Sequence, residues 1–304
     1  MVAPLGDYES WQDTCDTLHA HTQVLGKLCV ALAPHEPQLQ HAALMLTARG
    51  WETRPLRAPD GSGAFVAGLD LHAHEAFAEH TDGRSERVPL TPDRAVGDVT
   101  RDLLAAVRTL AGEVKIDPTP QEVHWTVPLD EDSEHASYDQ DAVASYFDAA
   151  SRAALVLAEY RAPYRGRSTP VNAWWGSFDL AVNLFAGEPA DPPSDDFIMR
   201  NSMNVKDVTV GWWPGDPRLP KPAFYSYAHP APEGFAVGEP SPETAHWYAD
   251  MGLFLLDWDD VLASDDPHAT GLEFARWSFR HACAVCGWDP SLAASTEGDP
   301  PPVS

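Results

Sequence analysis

Residues 64–90 read AFVAGLDLHAHEAFAEHTDGRSERVPL, and this stretch limits the fold more than any other part of the chain. AFVAGLDL alternates with period two, placing Phe65, Ala67, Leu69 and Leu71 on one face, the pattern of a half-buried strand. HAHE then turns the chain back, and Asp82-Gly83 supplies a second turn of the kind that closes a two-residue hairpin. Strands joined by such short turns are antiparallel neighbours, because a parallel pair needs a long crossover. The chain also lacks a βαβ rhythm and a Gly-rich phosphate loop, which argues against a nucleotide-binding fold.

Helices flank this strand region. Trp11, Cys15, Leu18, Thr22, Leu25, Cys29 and Leu32 step by three or four residues and define an amphipathic helix. TPDRAVGDVTRDLLAAVRTLAG predicts a second helix, capped by Thr91 and stopped near Gly112, with EVKIDP after it as a short strand. Ser137 with Gln140 forms a capping box for a third, whose inward residues are Val143, Tyr146, Phe147, Ala150 and Leu157. Beyond it TPVNAWWGSFDLAVNLFAG, DVTVGWW and PAFYSYAH read as strands, and two last helices are expected near 242–263 and 267–287.

The sum is an α+β fold, antiparallel sheets covered by long helices, within a single compact domain over 1–290. The repeated order of helix, strands and helix admits two similar halves, 1–117 and 135–290. The Pro- and Ser-rich residues 291–304 are expected to form a flexible tail.

Charge narrows the partners. Lys+Arg number 20 against 46 Asp+Glu, a formal charge of -26, so the field repels phosphate backbones and anionic headgroups, and nucleic acid is not an expected partner. No apolar run is long enough for a membrane span, and the acidic start lacks the basic and apolar regions of a secretory signal; a cytoplasmic location is expected. Cys15 and Cys29 lie fourteen residues apart on one helix, about 21 Å at a helical rise, too far for a disulfide. Cys283 and Cys286 fall in the last turn of a helix without a second paired motif, so buried thiols rather than zinc are expected. The two LHAH motifs, 18–21 and 71–74, lack the i, i+4 spacing of a helical zinc pair, and neither a metal nor a cofactor is expected.

Candidate chemistry gathers in three places. His19, Gln23 and Lys27 are spaced by four along the first helix, at the edge of its apolar stripe. If WWGSFDLAVNLF is one strand, Trp175, Ser177 and Asp179 share a face, as do Tyr225, Tyr227 and His229 in FYSYAH; aromatic residues mixed with polar ones suit a ligand cavity. EHASYD places His135, Ser137, Tyr138 and Asp139 at a helix start, where backbone N–H groups favour anions.

TLHAHTQVLGK, LTARGWETRPL, HASYD, WWGSFDLAV, GWWPG and AFYSYAHPAPEGF, in this order across nearly the whole chain, resemble an uncharacterised bacterial family filed as domain of unknown function 5996. The resemblance brings no reaction with it. It implies that His19, Gln23, Lys27, Arg49, His135, Tyr138, Trp175, Ser177, Asp179, Tyr225 and Tyr227 belong to a shared pattern. It also implies an aromatic at His21 and Tyr at His229, which weakens a metal reading of LHAH, and a polar run where this chain has Asn204, Val205 and Lys206.

The resulting expectation is a polar-aromatic pocket for a small molecule. His19 or His135 would serve as general base, Asp179 would orient it, and Lys27 or Arg49 would hold an anionic group, with Gln23, Tyr138, Trp175, Ser177, Tyr225 and Tyr227 lining the site. Such a pocket suits an acid–base enzyme, for example a hydrolase; the alternative is a binding or interaction protein without catalysis.

Overall fold

The computed structural model describes residues 2–293. Its elements in chain order are α1 (Gln12–Leu32), β1 (Met45–Leu46), β2 (Gly50–Glu52), β3 (Leu56–Arg57), β4 (Ala64–Asp70), β5 (Glu75–His80), β6 (Ser85–Pro89), α2 (Val96–Ala111) and α3 (Gln140–Arg161). They continue with β7 (Asn172–Trp174), β8 (Asp179–Pro189), α4 (Phe197–Ser202), β9 (Val205–Trp213), β10 (Ala223–His229), β11 (His246–Tyr248), β12 (Leu253–Asp257), α5 (Trp258–Ala263), α6 (Pro267–Cys286) and α7 (Pro290–Ala293). The fold is α+β with two antiparallel sheets. The chain divides into two compact units, one running to Ser151 and including Asn172–Asp179, the other Arg152–Val171 and Leu180 onward. The division falls within α3, not in a linker. Of the expected tail, residues 294–304 lie outside the described residues.

In the first unit the sheet runs β1-β2-β4-β5-β6, with β3 paired to β4. The β4–β5 register sets Phe65 against His80 and Leu69 against Ala76, and the Asp82-Gly83 turn leads into β6 as its residue types require. Helix α2 packs on β5 and β6. Helix α1 is enclosed nearly all round: besides Leu18, Leu25 and Leu28, the polar His19, His21, Gln23 and Lys27 are buried. The stripe expected at the helix edge is therefore interior.

Local signals misread several places. Helix α2 starts at Val96 rather than beside Thr91, because Asp93 adopts φ 66, a left-handed conformation that a helix cannot include. Asp139, not Ser137, caps α3: its Oδ1 accepts from the N–H groups of Asp141 (2.9 Å) and Ala142 (3.3 Å). EVKIDP forms no strand. The predicted helix over 242–263 is instead β11, β12 and the short α5, because Gly252 turns the chain at φ 68 and LFLLD pairs with β10.

The second unit carries the strand order β11-β12-β10-β9-β8, all antiparallel. One face of the sheet presents Val208, Val210, Trp212 and Phe224 to α5 and α6, where Trp258 meets Trp212 and Phe224 at ring separations of 5.8 Å. Helix α6 is capped by Asp266 and ends, near the expected 287, at Gly287 in the left-handed conformation. All four cysteines are free; Cys15, Cys29 and Cys283 are buried and Cys286 half-buried. No helix among the described residues is long and apolar enough to cross a membrane.

Candidate functional site

WWGSFD is not continuous strand. β7 ends at Trp174 and β8 begins at Asp179, and the four residues between them form a turn in which Phe178 has φ 56. The alternation that put Trp175, Ser177 and Asp179 on one face is thus broken. An aromatic pile holds this turn. The Phe178 ring is stacked on Trp51 (5.3 Å between centroids), Tyr146 (5.0 Å) and His19 (4.9 Å), all within 16° of parallel, and Trp51 Nε1 donates to the Tyr146 hydroxyl at 3.0 Å.

Several expected site residues belong to this packing. His19 donates from Nε2 to the carbonyls of Trp175 (2.9 Å) and Gly176 (3.1 Å), so that nitrogen holds a proton and cannot accept one. Gln23 clamps Gln121: its amide nitrogen donates to the Gln121 carbonyl and its oxygen accepts from the Gln121 N–H, both at 2.9 Å. Trp175 is buried and donates from Nε1 to the Ala42 carbonyl. Lys27 is buried with its ammonium 5.5 Å from the centroid of the Trp175 ring; burial pulls its pKa down, against the pull of Asp117. The exposed Ser177 donates to the buried Asp179 carboxylate. Arg49 lies elsewhere, bonded to Glu52 and Glu79 with its guanidinium 4.0 Å from the Phe77 ring centroid.

His135 and Tyr138 line a separate cavity of about 590 Å³ in the first unit, together with Gln12, Asp13, Asp16, Pro92, Asp93, His124, Glu134, Ala136, Ser137 and Asp139. Asp132, 1% exposed and not itself a lining residue, holds two that are: its carboxylate accepts from the N–H groups of Glu134 (2.9 Å) and His135 (3.0 Å) and from His135 Nδ1 (2.7 Å). The Asp fixes the imidazole tautomer, leaving Nε2 as the titrating atom, while Trp125 packs on the ring at 4.8 Å. The hydrogen bond to Asp132 raises the His135 pKa above 6.5. Burial pushes Asp132 upward, but the His135 and Glu134 hydrogen bonds outweigh it and hold the carboxyl below 3.8. The Asp132 contribution is lost as pH falls through its depressed value, and the His135 contribution as pH rises through its raised value. The pair therefore stabilises the fold most between these limits.

Asp132 and Asp16 were missed from sequence because each stands in an acidic run that reads as solvated surface. The available signal was the spacing of Asp132 three residues before His135, which lets a carboxylate reach both backbone and ring. Asp16 receives the Tyr8 hydroxyl at 2.9 and 3.0 Å from its two oxygens, and partial burial raises its pKa against that bond. Tyr138, itself buried, has its hydroxyl 3.2 Å from His74 Nδ1. Behind Asp132 the buried His21 is pushed down to about 4 by burial and is neutral. Among the described residues no group of three or more His, Cys, Asp or Glu is placed to hold a metal ion.

The sequence profile of one family matches residues 4–295, nearly the whole chain. The chain belongs to the family of unknown function DUF5996. No curated protein and no solved structure matches it. For this DUF5996 member, then, the chemistry rests on its own residues.

In the second unit Tyr225 and Tyr227 stack at 6.3 Å, 5° from parallel, on the sheet face that also carries Asn183, Asp207, Thr209 and His229. Asp207 is 4% exposed and accepts from Asn183 Nδ2 (2.9 Å) and Thr209 Oγ1 (2.8 Å) on one oxygen. Burial raises its pKa against those bonds. A carboxyl with a raised folded pKa contributes most below its unfolded value and loses that contribution as pH rises. Asp207→Asn keeps an oxygen to accept both bonds and removes the titration. Urea denaturation at several pH values should show the variant gaining on wild type as pH rises from about 4 toward neutrality. A pH-independent difference would show that Asp207 is not held as described.

Proposed function

We propose that the cavity beside the start of α3 is a small-molecule site that works by acid–base chemistry, with His135 as general base and Asp132 as the residue that orients it. The observation that carries this reading is the hydrogen bond that a buried Asp132 accepts from Nδ1 of an imidazole lining a cavity of about 590 Å³. That volume lies in the range of small-molecule sites. An imidazole so oriented can take a proton at Nε2 near neutral pH, the requirement for a general base. Ser137 Oγ lies 3.4 Å from Thr14 Oγ1, and among the described residues no hydroxyl is hydrogen-bonded to the His135 ring. Water activated by His135, hence hydrolysis, fits this arrangement. The same lack of a paired hydroxyl favours the second reading, a binding protein in which His135 only grips its ligand.

The test begins with the imidazole. In wild type, His135 should titrate above its ordinary range by NMR, and Asp132→Asn should bring it down. Turnover found by screening hydrolysable esters and amides should then fall by roughly 10²- to 10⁴-fold in His135→Gln, while Arg49→Gln, remote from the cavity, retains it. Turnover unchanged in His135→Gln would remove the catalytic reading. A ligand that shifts the His135 signals without being transformed would move the protein to the binding reading.

A further inference from the structure

The carboxylates around the cavity differ from those on the first unit's sheet and α2. Glu52, Glu75, Glu79, Asp82, Asp98 and Asp102 each pair with an arginine: Arg49, Arg84, Arg87, Arg94 or Arg101. Asp13, Asp16, Asp93, Glu134 and Asp139 line the cavity, and among the described residues none has a Lys or Arg partner within ion-pair distance. The lining includes no Lys or Arg at all, and Arg94, next in sequence to Asp93, is bonded to Asp102 and the Pro89 carbonyl instead. Two imidazoles, His124 and His135, are the lining groups able to carry positive charge.

We propose that the ligand of this cavity is a small organic cation, a primary amine or guanidinium compound whose charged end sits against Asp16; the inference rests on the cavity being the functional site. Three separate observations converge on it. The cavity, open to solvent, is of small-molecule size. The five carboxylates that face it outnumber the two imidazoles and have no Lys or Arg partner among the described residues, so a cation relieves their mutual repulsion and an anion increases it. No three acidic or imidazole groups among the described residues converge as metal ligands do, which favours an extended organic cation over a bare divalent ion. Asp16 is the anchoring group because the Tyr8 hydroxyl bridges both of its oxygens and restrains its rotamer, unlike the exposed Asp13 and Asp93. The chain's charge of -26 adds a long-range field that draws cations toward the cavity. The two cations expected from sequence to hold an anionic group, Lys27 and Arg49, are not among the lining residues.

Putrescine and agmatine serve as probes, with 1,4-butanediol as neutral isostere, succinate as dianion and magnesium chloride as inorganic cation. Titrations of the full chain are followed by the imidazole NMR signals of His124 and His135. Either amine probe should give saturable shifts below about 10 mM, weakened by added salt and by roughly tenfold or more in Asp16→Asn. Arg49→Gln should bind as wild type does. Saturable binding of succinate or butanediol with the same shifts would overturn the cation inference while leaving the cavity as a ligand site. Binding of magnesium with neither amine, amine binding unaltered in Asp16→Asn, or no saturation by any probe would equally overturn it. Retained dependence of the His135 titration on Asp132 would keep the acid–base reading separate from each of these outcomes.

Discussion

Phe178→Ala should cost the fold 3–5 kcal/mol, about the range for emptying a large aromatic site in a core. Phe178 is 3% exposed and lies at the centre of a pile in which Trp51, Tyr146 and His19 each stack on its ring within 16° of parallel. Stacked aromatic pairs contribute about 0.5–1.5 kcal/mol each beyond the area they bury. Removing the shared member loses three such pairs at once. The surrounding rings are themselves tethered, Trp51 to the Tyr146 hydroxyl and His19 to the Trp175 and Gly176 carbonyls, so they cannot close over the space. Backbone strain at φ 56 is common to Phe and Ala and does not offset the loss. Phe178→Leu, which keeps much of the volume, should cost less, about 1–2 kcal/mol. Urea unfolding curves for the three proteins decide the matter: a loss below 1 kcal/mol for the Ala variant would mean that the pile is incidental to the turn.

The same residue shows why part of this fold was legible in the sequence and part was not. The β4–β6 meander could be read because period-two alternation and the Asp82-Gly83 turn are local causes of local structure. The inward face of α3 could be read for the same reason: Val143, Tyr146, Phe147, Ala150 and Leu157 are all buried. Phe178 obeys no local rule. A bulky residue disfavours positive φ, and here rings from α1, β2 and α3, distant in sequence, stabilise it there. A continuous strand was the better local inference and the wrong one. The site divides in the same manner. His135 and Tyr138 were visible as side chains that capping does not account for, whereas Asp132 and Asp16 gained their roles through burial, which an acidic run conceals. His19, Gln23 and Lys27 stood out through their spacing, yet His19 and Gln23 make packing and loop-anchoring bonds. Polar residues on a helix face announce that they are constrained, not what constrains them.

Gly26→Ala offers the sharpest contrast between a local rule and its tertiary exception. In the interior of an exposed helix this change stabilises by about 1 kcal/mol, since Ala loses less backbone entropy on folding. Gly26 lies within α1, where a Cβ would come within 2.1 Å of Cδ1 and 2.2 Å of Cγ and Cδ2 of the Trp175 indole. These are atoms of a rigid ring, not the end of a flexible chain. The ring is fixed by the bond from Nε1 to the Ala42 carbonyl at 2.9 Å, and its own backbone carbonyl accepts from His19. Relief therefore requires α1 and the Trp175 turn to separate, which strains both hydrogen bonds and disturbs the Phe178 pile three residues further on. Overpacking of this kind costs about 1–3 kcal/mol or more, enough to reverse the propensity gain. Trp175→Phe, which removes part of the indole, should recover some of the loss in the Gly26→Ala background while costing stability on its own by giving up the Ala42 bond. A double-mutant cycle by urea denaturation measures this: a coupling near zero, or a stabilised Gly26→Ala, would show that the indole does not rest against the glycine.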